Sequence, residues 1–196
     1  VALIQRGITG KGNCVSVSLM DAAISSLANQ ATNYLVAGEI PEKKGSQHPN
    51  IAPYGDVFTT KDSVQLLLAV GSNRQFVSLC SVLQLTEMAT VSNYATNKSR
   101  VAHRETLTCS LQEAFSKFES TALIEGLNNA NVPCGKIHNM KEVFETENAK
   151  SVLISSQKVP EKLLGLRNFV AKFNNVENAS HFSPPPKLGE HTQEIL

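Results

Sequence analysis

The sequence predicts a mixed α/β fold, and three observations carry that prediction. The stretch "NCVSVSL" alternates apolar and small residues at period two, as a half-buried strand does. "SVQLLLAVG" is a continuous apolar run of strand length, and elsewhere apolar residues recur at helical spacing. With 196 residues, 41% of them hydrophobic and 18% charged, the composition is that of an ordinary globular protein.

The first elements along the chain are a helix end, a strand and a long helix. "VALIQRGITGKG" is typical of a helix end followed by a tight turn, because its glycines have the wrong spacing for a phosphate-binding loop. After the "NCVSVSL" strand, an apolar stripe from Leu19 to Leu35 predicts one helix of about five turns. Gly38 and Pro41 supply its stop signals.

The stretch "KKGSQHPNIAPYGDVFTTKD", from Lys43 to Asp62, interrupts these patterns. It is predicted to be a polar and rigid loop with almost nothing to bury. Binding and catalytic residues are often carried on loops, although most loops only connect elements. Whether this loop is functional or only a connection therefore has to be judged from the sequence that flanks it.

Three helices are predicted after the "SVQLLLAVG" strand. The first begins with Asn73 as its cap, the second runs from Asn97 through Phe118, and the third begins at a cap formed by Ser120 and Thr121. The inward-facing positions of the first two helices are expected at Phe76, Leu79, Cys80, Leu83, Val101, Leu107, Leu111, Ala114 and Phe115.

The last third of the chain is predicted to hold shorter elements. The turn in "VPCGKIHNMKEVF" leads into a short helix near Val143, and "SVLISSQKV" and "LLGLRNFVAKF" predict short strands. The tract Asn174–His181 and "SPPPKLGEH" predict an extended closing loop, in which the triple proline favours polyproline II geometry.

Charge and hydropathy argue against two classes of partner. Lys and Arg number 18 against 17 Asp and Glu, and no long basic run occurs, so we expect no nucleic-acid partner. No apolar stretch approaches the roughly 20 residues that span a bilayer, so we expect no membrane partner.

Motifs for metal binding and for nucleophilic catalysis are missing from the sequence. The five histidines have no ligand spacing, and no serine nucleophile elbow occurs. We therefore predict no metal site and assign no catalytic residue within this chain. The four cysteines lack paired spacing and are expected to be buried, reduced thiols of an intracellular protein: Cys14, Cys80, Cys109 and Cys134.

Five stretches, in order and at suitable separation, carry a family resemblance: "TGKGNCVSVSLMDA", "ATNYL", "KKGSQHPNIAPYGDVFTTKD", "VPCGKIHNMKEVF" and "PPPKLGEHTQEIL". Together they resemble the C-terminal half of the family III CoA-transferases, typified by formyl-CoA transferase and crotonobetainyl-CoA:carnitine CoA-transferase. The loop is similar in form to that of the succinate–hydroxymethylglutarate CoA-transferase branch. Two positions depart from the pattern, since Ser63 stands where many relatives have Gly and Lys136 stands where Pro is common.

The resemblance implies a domain plan. Residues 1–22 would end the first part of a Rossmann-like large domain that is mostly absent from this chain, and residues 23–44 would form a linker helix. Residues 45–135 would be a small α/β domain, residues 136–160 a second linker, and residues 161–196 a return to the large domain. Two full-length subunits of such proteins interlock, so a homodimer is expected.

The resemblance also implies an activity. Family members move CoA from an acyl-CoA to a carboxylic acid acceptor through an aspartyl mixed anhydride, which divides one difficult displacement into easier steps. The nucleophilic aspartate would lie upstream of this chain. Coenzyme A is then a substrate, and no cofactor is expected. The expected location is intracellular, in the cytoplasm or the mitochondrial matrix.

In relatives the loop that matches residues 45–50 covers the reacting thioester, so the substrate-binding residues are expected there. Gly45 would allow an unusual backbone dihedral, and Gln47 and His48 would donate hydrogen bonds to a carboxylate or thioester oxygen. Asn50 belongs to the same loop, and Tyr54 would line the pocket. The structural alternative is that His48 and Tyr54 only pin the loop in place.

Two other functions stay open on sequence alone. An α-methylacyl-CoA racemase shares the fold and abstracts an α-proton with a positioned acid and base. A non-enzymatic interaction module is the third hypothesis. The form of the "HPNIAPY" loop favours the transferase over the racemase, and flanks that need a covering surface disfavour the module.

Overall fold

The computed structural model describes residues 1–156, 164–167, 171, 181–183 and 185–196. The chain divides into two compact units, Val1–Asn50 and Ile51–Leu196. Each unit is described by itself.

The first unit is helical. Its helices are α1 (Ala2–Thr9), α2 (Leu19–Ser26) and α3 (Ala28–Ala37). Gly10 and Gly38 adopt left-handed φ values of 69° and 71° and close α1 and α3, as the turn and stop signals predict. No residue of this unit is buried, and all of its positions are described.

Two predictions for the first unit are wrong. The "NCVSVSL" stretch forms no strand, because no neighbouring segment pairs with it, and alternation alone cannot satisfy backbone hydrogen bonds. The long helix from Leu19 is two helices that meet at Leu27. The side chain of Ser18 caps the first of them by accepting a hydrogen bond from the Asp21 backbone N–H at 3.3 Å.

The second unit is built on an antiparallel sheet with strand order β1–β2–β3. Strand β1 is Tyr54–Thr59, β2 is Gln65–Ala69 and β3 is Cys134–Lys136. The predicted β2 is confirmed. Strand β1 is not predicted, because it lies in the stretch expected to be a loop with almost nothing to bury.

That expectation is wrong for the second half of the stretch. Ala52, Asp56, Phe58 and Thr60 are buried there, and Phe58 pairs with Leu66 across the β1–β2 ladder. A strand with so many polar residues becomes stable only when a neighbour supplies the ladder and a core face.

Helices cover this sheet. They are α4 (Asn73–Val82), a 3-10 helix (Thr86–Thr90), α5 (Asn97–Ala102), α6 (Arg104–Phe115) and α7 (Ser120–Asn129). The Phe58 and Phe115 rings stack with centroids 4.7 Å apart in the core. The predicted inward positions of α4 and α6 are buried, namely Phe76, Leu79, Cys80, Leu83, Leu107, Leu111, Ala114 and Phe115, whereas Val101 is partly buried.

Two predicted helix starts are displaced by one residue. The cap of α4 is Ser72, whose side chain accepts from the Gln75 N–H at 3.2 Å in a capping box. The Asn73 side chain instead accepts a hydrogen bond from Arg100. The residue before α7 is Glu119, which makes no side-chain cap. Asp62 takes that role from a distance, since its carboxylate accepts from the Ser120 N–H at 3.0 Å and from the Ser120 Oγ at 2.6 Å.

The predicted helix from Asn97 to Phe118 is also two helices, because α5 ends at Ala102 and α6 begins at Arg104. His103, between them, has non-helical dihedrals of φ −112° and ψ 31°. Buried residues lie on both sides of this break, namely Arg100 on α5 and Leu107 on α6.

The remaining elements are short. They are α8 (Met140–Glu145), α9 (Glu147–Lys150), β4 (Leu153–Ser156), β5 (Leu164–Leu166), β6 (His181–Phe182) and α10 (Thr192–Ile195). Strand β4 pairs antiparallel with β5 and parallel with β6. The predicted helix near Val143 is confirmed, as are strands at Leu153–Ser156 and Leu164–Leu166.

Other parts of the C-terminal predictions lie outside the described residues. They are positions 157–159 of the "SVLISSQKV" strand, 163, 168–170 and 172–173 of the "LLGLRNFVAKF" strand, 174–180 of the closing loop, and 184 in the triple proline. His181, predicted to be the last residue of the polar tract, instead begins β6.

Candidate functional site

The first half of the predicted loop is a turn that glycine makes possible. Gly45 adopts a φ of 61°, in the left-handed region, and the Gln47 N–H donates to the Lys44 carbonyl at 3.2 Å. A Cβ at Gly45 would have no atom within 4 Å. The requirement for glycine at this position is therefore conformational, because there is room for a side chain.

His48 and Asn50 fold back on each other within this turn. The Asn50 N–H donates to His48 Nδ1 at 3.1 Å. An accepting Nδ1 carries no proton, so the neutral ring carries its proton on Nε2. His48 is half-buried and in this tautomer is a hydrogen-bond donor through Nε2.

A side-chain bond ties the end of the turn to helix α3. Asn50 Nδ2 donates to Asn33 Oδ1 at 3.1 Å, and Asn33 Nδ2 donates to Gln30 Oε1 at 3.4 Å. A chain of amides therefore links the loop to the helix that precedes it in the first unit.

The structure thus brings together four of the five predicted binding residues, Gly45, Gln47, His48 and Asn50, in one turn of the first unit. Tyr54 lies in the second unit as the first residue of β1, where its side chain is half-exposed and its ring faces Gly71. The substrate-binding roles of all five residues stay predictions.

Sequence reasoning missed a polar cluster at the start of β1. Three side chains of α5 and α6, which we call the exit anchor, are Asn97, Arg100 and Arg104. Asn97 Oδ1 accepts from the Ala52 N–H at 3.1 Å, and Arg100 Nε donates to the Ala52 carbonyl at 2.7 Å. Arg104 Nη2 donates to the Ile51 carbonyl at 2.8 Å.

A sequence signal for this cluster was present. Arg100 lies seven residues before Leu107 and eleven before Leu111, so it falls on the buried stripe of the predicted helix. A cation at such a position is rarely buried without a specific partner. Asn97 and Arg104 lie three residues before and four residues after it, on neighbouring helical positions.

The two arginines have different surroundings. Arg104 Nη1 forms an ion pair with Asp56 Oδ2 at 3.2 Å, and the Asp56 side chain is almost completely buried. Arg100 is fully buried, and its guanidinium carbon lies 4.5 Å from the centroid of the Phe76 ring. Burial lowers the pKa of Arg100 from its ordinary value, because the charged form loses its water.

The four cysteines differ in how far they are buried. Cys80 is buried and Cys134 is partly buried, whereas Cys14 and Cys109 are exposed, so the expectation of four buried thiols is wrong for these two. Burial raises the pKa of the Cys80 thiol to about 11, and burial also raises that of Cys134. Both thiols are therefore protonated near neutral pH and are poor nucleophiles.

The described residues contain neither a cluster of metal ligands nor a membrane-spanning helix. Across the described ranges, no three His, Cys, Asp or Glu side chains are grouped so that they could hold a metal ion. Within the same ranges, no helix combines the length and the apolar character needed to cross a membrane.

Comparison with known proteins gives the family. The sequence profile of CoA-transferase family III matches residues 1–192. The chain belongs to CoA-transferase family III. The resemblance seen in the five sequence stretches is therefore confirmed.

Named relatives of this family III chain are CoA-transferases. A succinate–glutarate CoA-transferase from Agrobacterium fabrum is 33% identical, and the match covers 100% of this chain and 48% of the relative. The succinyl-CoA:glutarate CoA-transferase of Homo sapiens is 32% identical, with 99% of this chain and 44% of the relative covered. The chain therefore spans about half the length of the curated relatives it matches.

Solved structures agree on the fold. A CaiB/BaiF family protein from Brucella suis superposes with a TM-score of 0.73 and 36% identity, covering 98% of this chain and 50% of that one. A Mycobacterium tuberculosis protein superposes with a TM-score of 0.80 at 21% identity, covering 100% and 51% of the two chains, and shows the fold alone. The predicted α/β class is confirmed.

Proposed function

We propose that the full-length protein transfers CoA from an acyl-CoA donor to a carboxylic acid, and that donor and acceptor are derived from dicarboxylic acids. The match of the family III profile to residues 1–192 carries the first part of this proposal. The second part rests on relatives at 33%, 32% and 30% identity, whose names all give succinate or succinyl-CoA together with glutarate.

The proposed chemistry uses an aspartate outside this chain. Its carboxylate attacks the thioester carbonyl, the C–S bond breaks, and CoA thiolate leaves behind an acyl–aspartyl anhydride. The thiolate then attacks the aspartyl carbonyl and releases the donor acid, and the same two steps run in reverse with the acceptor acid. No residue of this chain takes the covalent role, and coenzyme A enters as a substrate rather than as a cofactor of the protein.

The loop at residues 45–50 is proposed to cover the reacting thioester. His48 supports this role because its Nδ1 accepts from the Asn50 N–H, which makes Nε2 the donor that can meet a carboxylate or thioester oxygen. Gln47 would add a second donor. Gly45 sets the turn, Asn50 ties it to α3, and Tyr54 would line the pocket.

A direct assay tests the proposal. The full-length protein is incubated with succinyl-CoA and glutarate, and the CoA esters are separated and identified by mass. We expect glutaryl-CoA and free succinate in equal amounts. Absence of CoA exchange with every donor and acceptor tried contradicts the proposal. Deuterium uptake from solvent at the α-carbon of a 2-methylacyl-CoA would instead favour the racemase.

The proposed assembly is an interlocked homodimer, located in the cytoplasm or the mitochondrial matrix. The surface of the first unit supports the need for a covering partner. Leu3, Ile8, Leu19 and Leu35 are 72%, 80%, 88% and 78% exposed, which is more apolar surface than a folded protein normally leaves in water. Light scattering on the full-length protein should give the mass of two subunits, and a monomer mass contradicts the dimer.

A further inference from the structure

The backbone of Ile51 and Ala52 makes more side-chain hydrogen bonds than a segment that only connects two elements would need. The exit anchor occupies three consecutive backbone groups, namely the Ile51 carbonyl, the Ala52 N–H and the Ala52 carbonyl. Side-chain bonds to backbone are common, but three in succession leave these two residues little freedom to rotate. Asn50, the last residue of the candidate loop, is covalently joined to Ile51.

The anchor is built around a cation with no carboxylate partner. Arg100 Nη1 donates to the Tyr94 carbonyl at 2.9 Å and Nη2 donates to Asn73 Oδ1 at 3.0 Å. In the part of the chain that the structure describes, none of the ion pairs involves this guanidinium. Burying a charge in this way is costly, and only well-directed hydrogen bonds offset that cost.

The planar geometry of the guanidinium group explains why residue 100 is an arginine. Its planar donors reach three separate segments at once, at residues 52, 73 and 94, which a lysine or an apolar residue cannot do. Asn73 is used as one of these acceptors, and this use agrees with its absence from the cap of α4. The arrangement stiffens the point where the chain leaves the loop.

We propose that Asn97, Arg100 and Arg104 are positioning residues for the substrate loop, which they hold by immobilising its exit at Ile51 and Ala52. This inference rests on the proposed function of the loop at residues 45–50. A loop whose exit is immobile loses less entropy when it orders over a substrate, and small misplacements of a reacting group are costly to rate.

The chain offers a matched control at the other end of β1. Gln112, on α6, accepts from the Thr59 N–H at 3.0 Å and donates to the Thr59 carbonyl at 2.8 Å. It therefore makes the same kind of side-chain bond to the backbone of the same segment, seven residues further from the loop than Ala52. Its loss should weaken the fold without reaching the loop.

The test compares Asn97→Ala, Asn97→Asp and Gln112→Ala in the full-length protein. Asn97→Ala removes the acceptor of the Ala52 N–H, whereas Asn97→Asp keeps an oxygen there. For Asn97→Ala we expect kcat/KM for the acceptor acid to fall about tenfold, while KM for the acyl-CoA changes less than about twofold. Asn97→Asp should keep kcat/KM close to that of the wild type. Gln112→Ala should lower the melting temperature while kcat/KM stays within about twofold of wild type.

A second measurement does not depend on activity. Hydrogen exchange of the amides at residues 44–48 should accelerate in Asn97→Ala and in Arg104→Lys, but not in Gln112→Ala. Equal kinetic losses in Asn97→Ala and Gln112→Ala, or unchanged exchange in the loop, overturn the positioning role. If the wild-type protein transfers no CoA, the proposed function fails, and loop exchange still decides whether the anchor controls the loop.

Discussion

The two units of this chain carry apolar residues at similar helical spacing and bury them very differently. In the first unit Leu3, Ile8 and Leu35 are more than two-thirds exposed, and no residue there is buried. In the second unit Leu79, Leu111 and Phe115 are completely buried. The difference teaches that periodicity identifies the face of a helix that will be covered but does not identify what covers it. For α1 to α3 we propose that the covering surface is polypeptide outside this chain.

The largest expected effect sharpens that contrast at the core of the second unit. Phe58→Ala removes a ring that stacks on Phe115 and leaves a cavity in a packed interior. The free energy of unfolding should fall by about 3–5 kcal/mol, measured by denaturant titration of the full-length protein. A loss below about 1 kcal/mol contradicts the described core.

The matched change in the first unit is Leu19→Ala, at a side chain that is 88% exposed in this chain. In the full-length protein we expect a loss of about 2 kcal/mol, because the proposed fold covers this face. A change within about 0.5 kcal/mol would show that Leu19 faces water, and would break the comparison.

The next effect concerns the buried guanidinium. Arg100→Met leaves the Ala52 carbonyl, the Tyr94 carbonyl and Asn73 Oδ1 without their donors, and we expect the free energy of unfolding to fall by about 2–3 kcal/mol. Arg74→Met, at an exposed arginine on α4, is the control and should change it by less than about 0.5 kcal/mol. Equal effects at both sites would contradict the anchoring role of Arg100.

A smaller effect compares two glycines that both have room for a methyl group. Gly45→Ala forces a side chain onto a φ of 61° and should cost about 1 kcal/mol in unfolding free energy. Gly135→Ala lies in β3 at an ordinary dihedral, also with open space around the added atom, and should be neutral or slightly stabilising. The two melting curves, recorded together, separate backbone strain from crowding.

The smallest effect is a pH dependence at the start of α7. Hydrogen bonds from the side chains of Ser120 and Thr60 lower the pKa of Asp62 from 3.8 to about 2. Since the folded pKa lies below the unfolded one, the stabilisation is complete above about pH 4 and is lost as the pH falls towards 2. The variant Ser120→Ala should lose part of this acid dependence of the melting temperature.

Ser116→Ala provides the control for that experiment. Ser116 is the exposed C-cap residue of α6, and its hydroxyl donates to the Glu113 carbonyl at 2.8 Å rather than to Asp62. Its acid unfolding profile should follow that of the wild type. If Ser116→Ala and Ser120→Ala respond alike between pH 4 and 2, the hydrogen bonds to Asp62 do not set the acid response.

Some of the fold could be predicted from local rules. Gly10 and Gly38 end helices because only a left-handed residue closes those turns at low cost, and their neighbours are good helix formers. The apolar run at β2 and the inward positions of α4 and α6 were predicted because one buried face imposes its period on the sequence. The breaks at Leu27 and His103 were missed, since neither position carries a glycine or proline signal.

The candidate site was predictable only in part. Gly45, Gln47, His48 and Asn50 are neighbours in sequence, so a single turn unites them, and the family resemblance directed attention to that turn. The exit anchor was not predicted, because Ala52 and Arg100 meet across 48 residues. The burial of Asp56 beside Arg104 was missed for the same reason.

By itself, the sequence determined the family, the mixed α/β class and most helix positions, because these depend on ordered motifs and on periodicity within a few turns of chain. Only the tertiary structure decided that Tyr54–Thr59 is a strand, that Asp62 caps α7, and that Arg100 is buried on the backbone of Ala52. Each of these depends on a partner distant in sequence. The energies of hydrogen bonding and burial depend on which segments come into contact, and the local composition of a segment does not specify its partner.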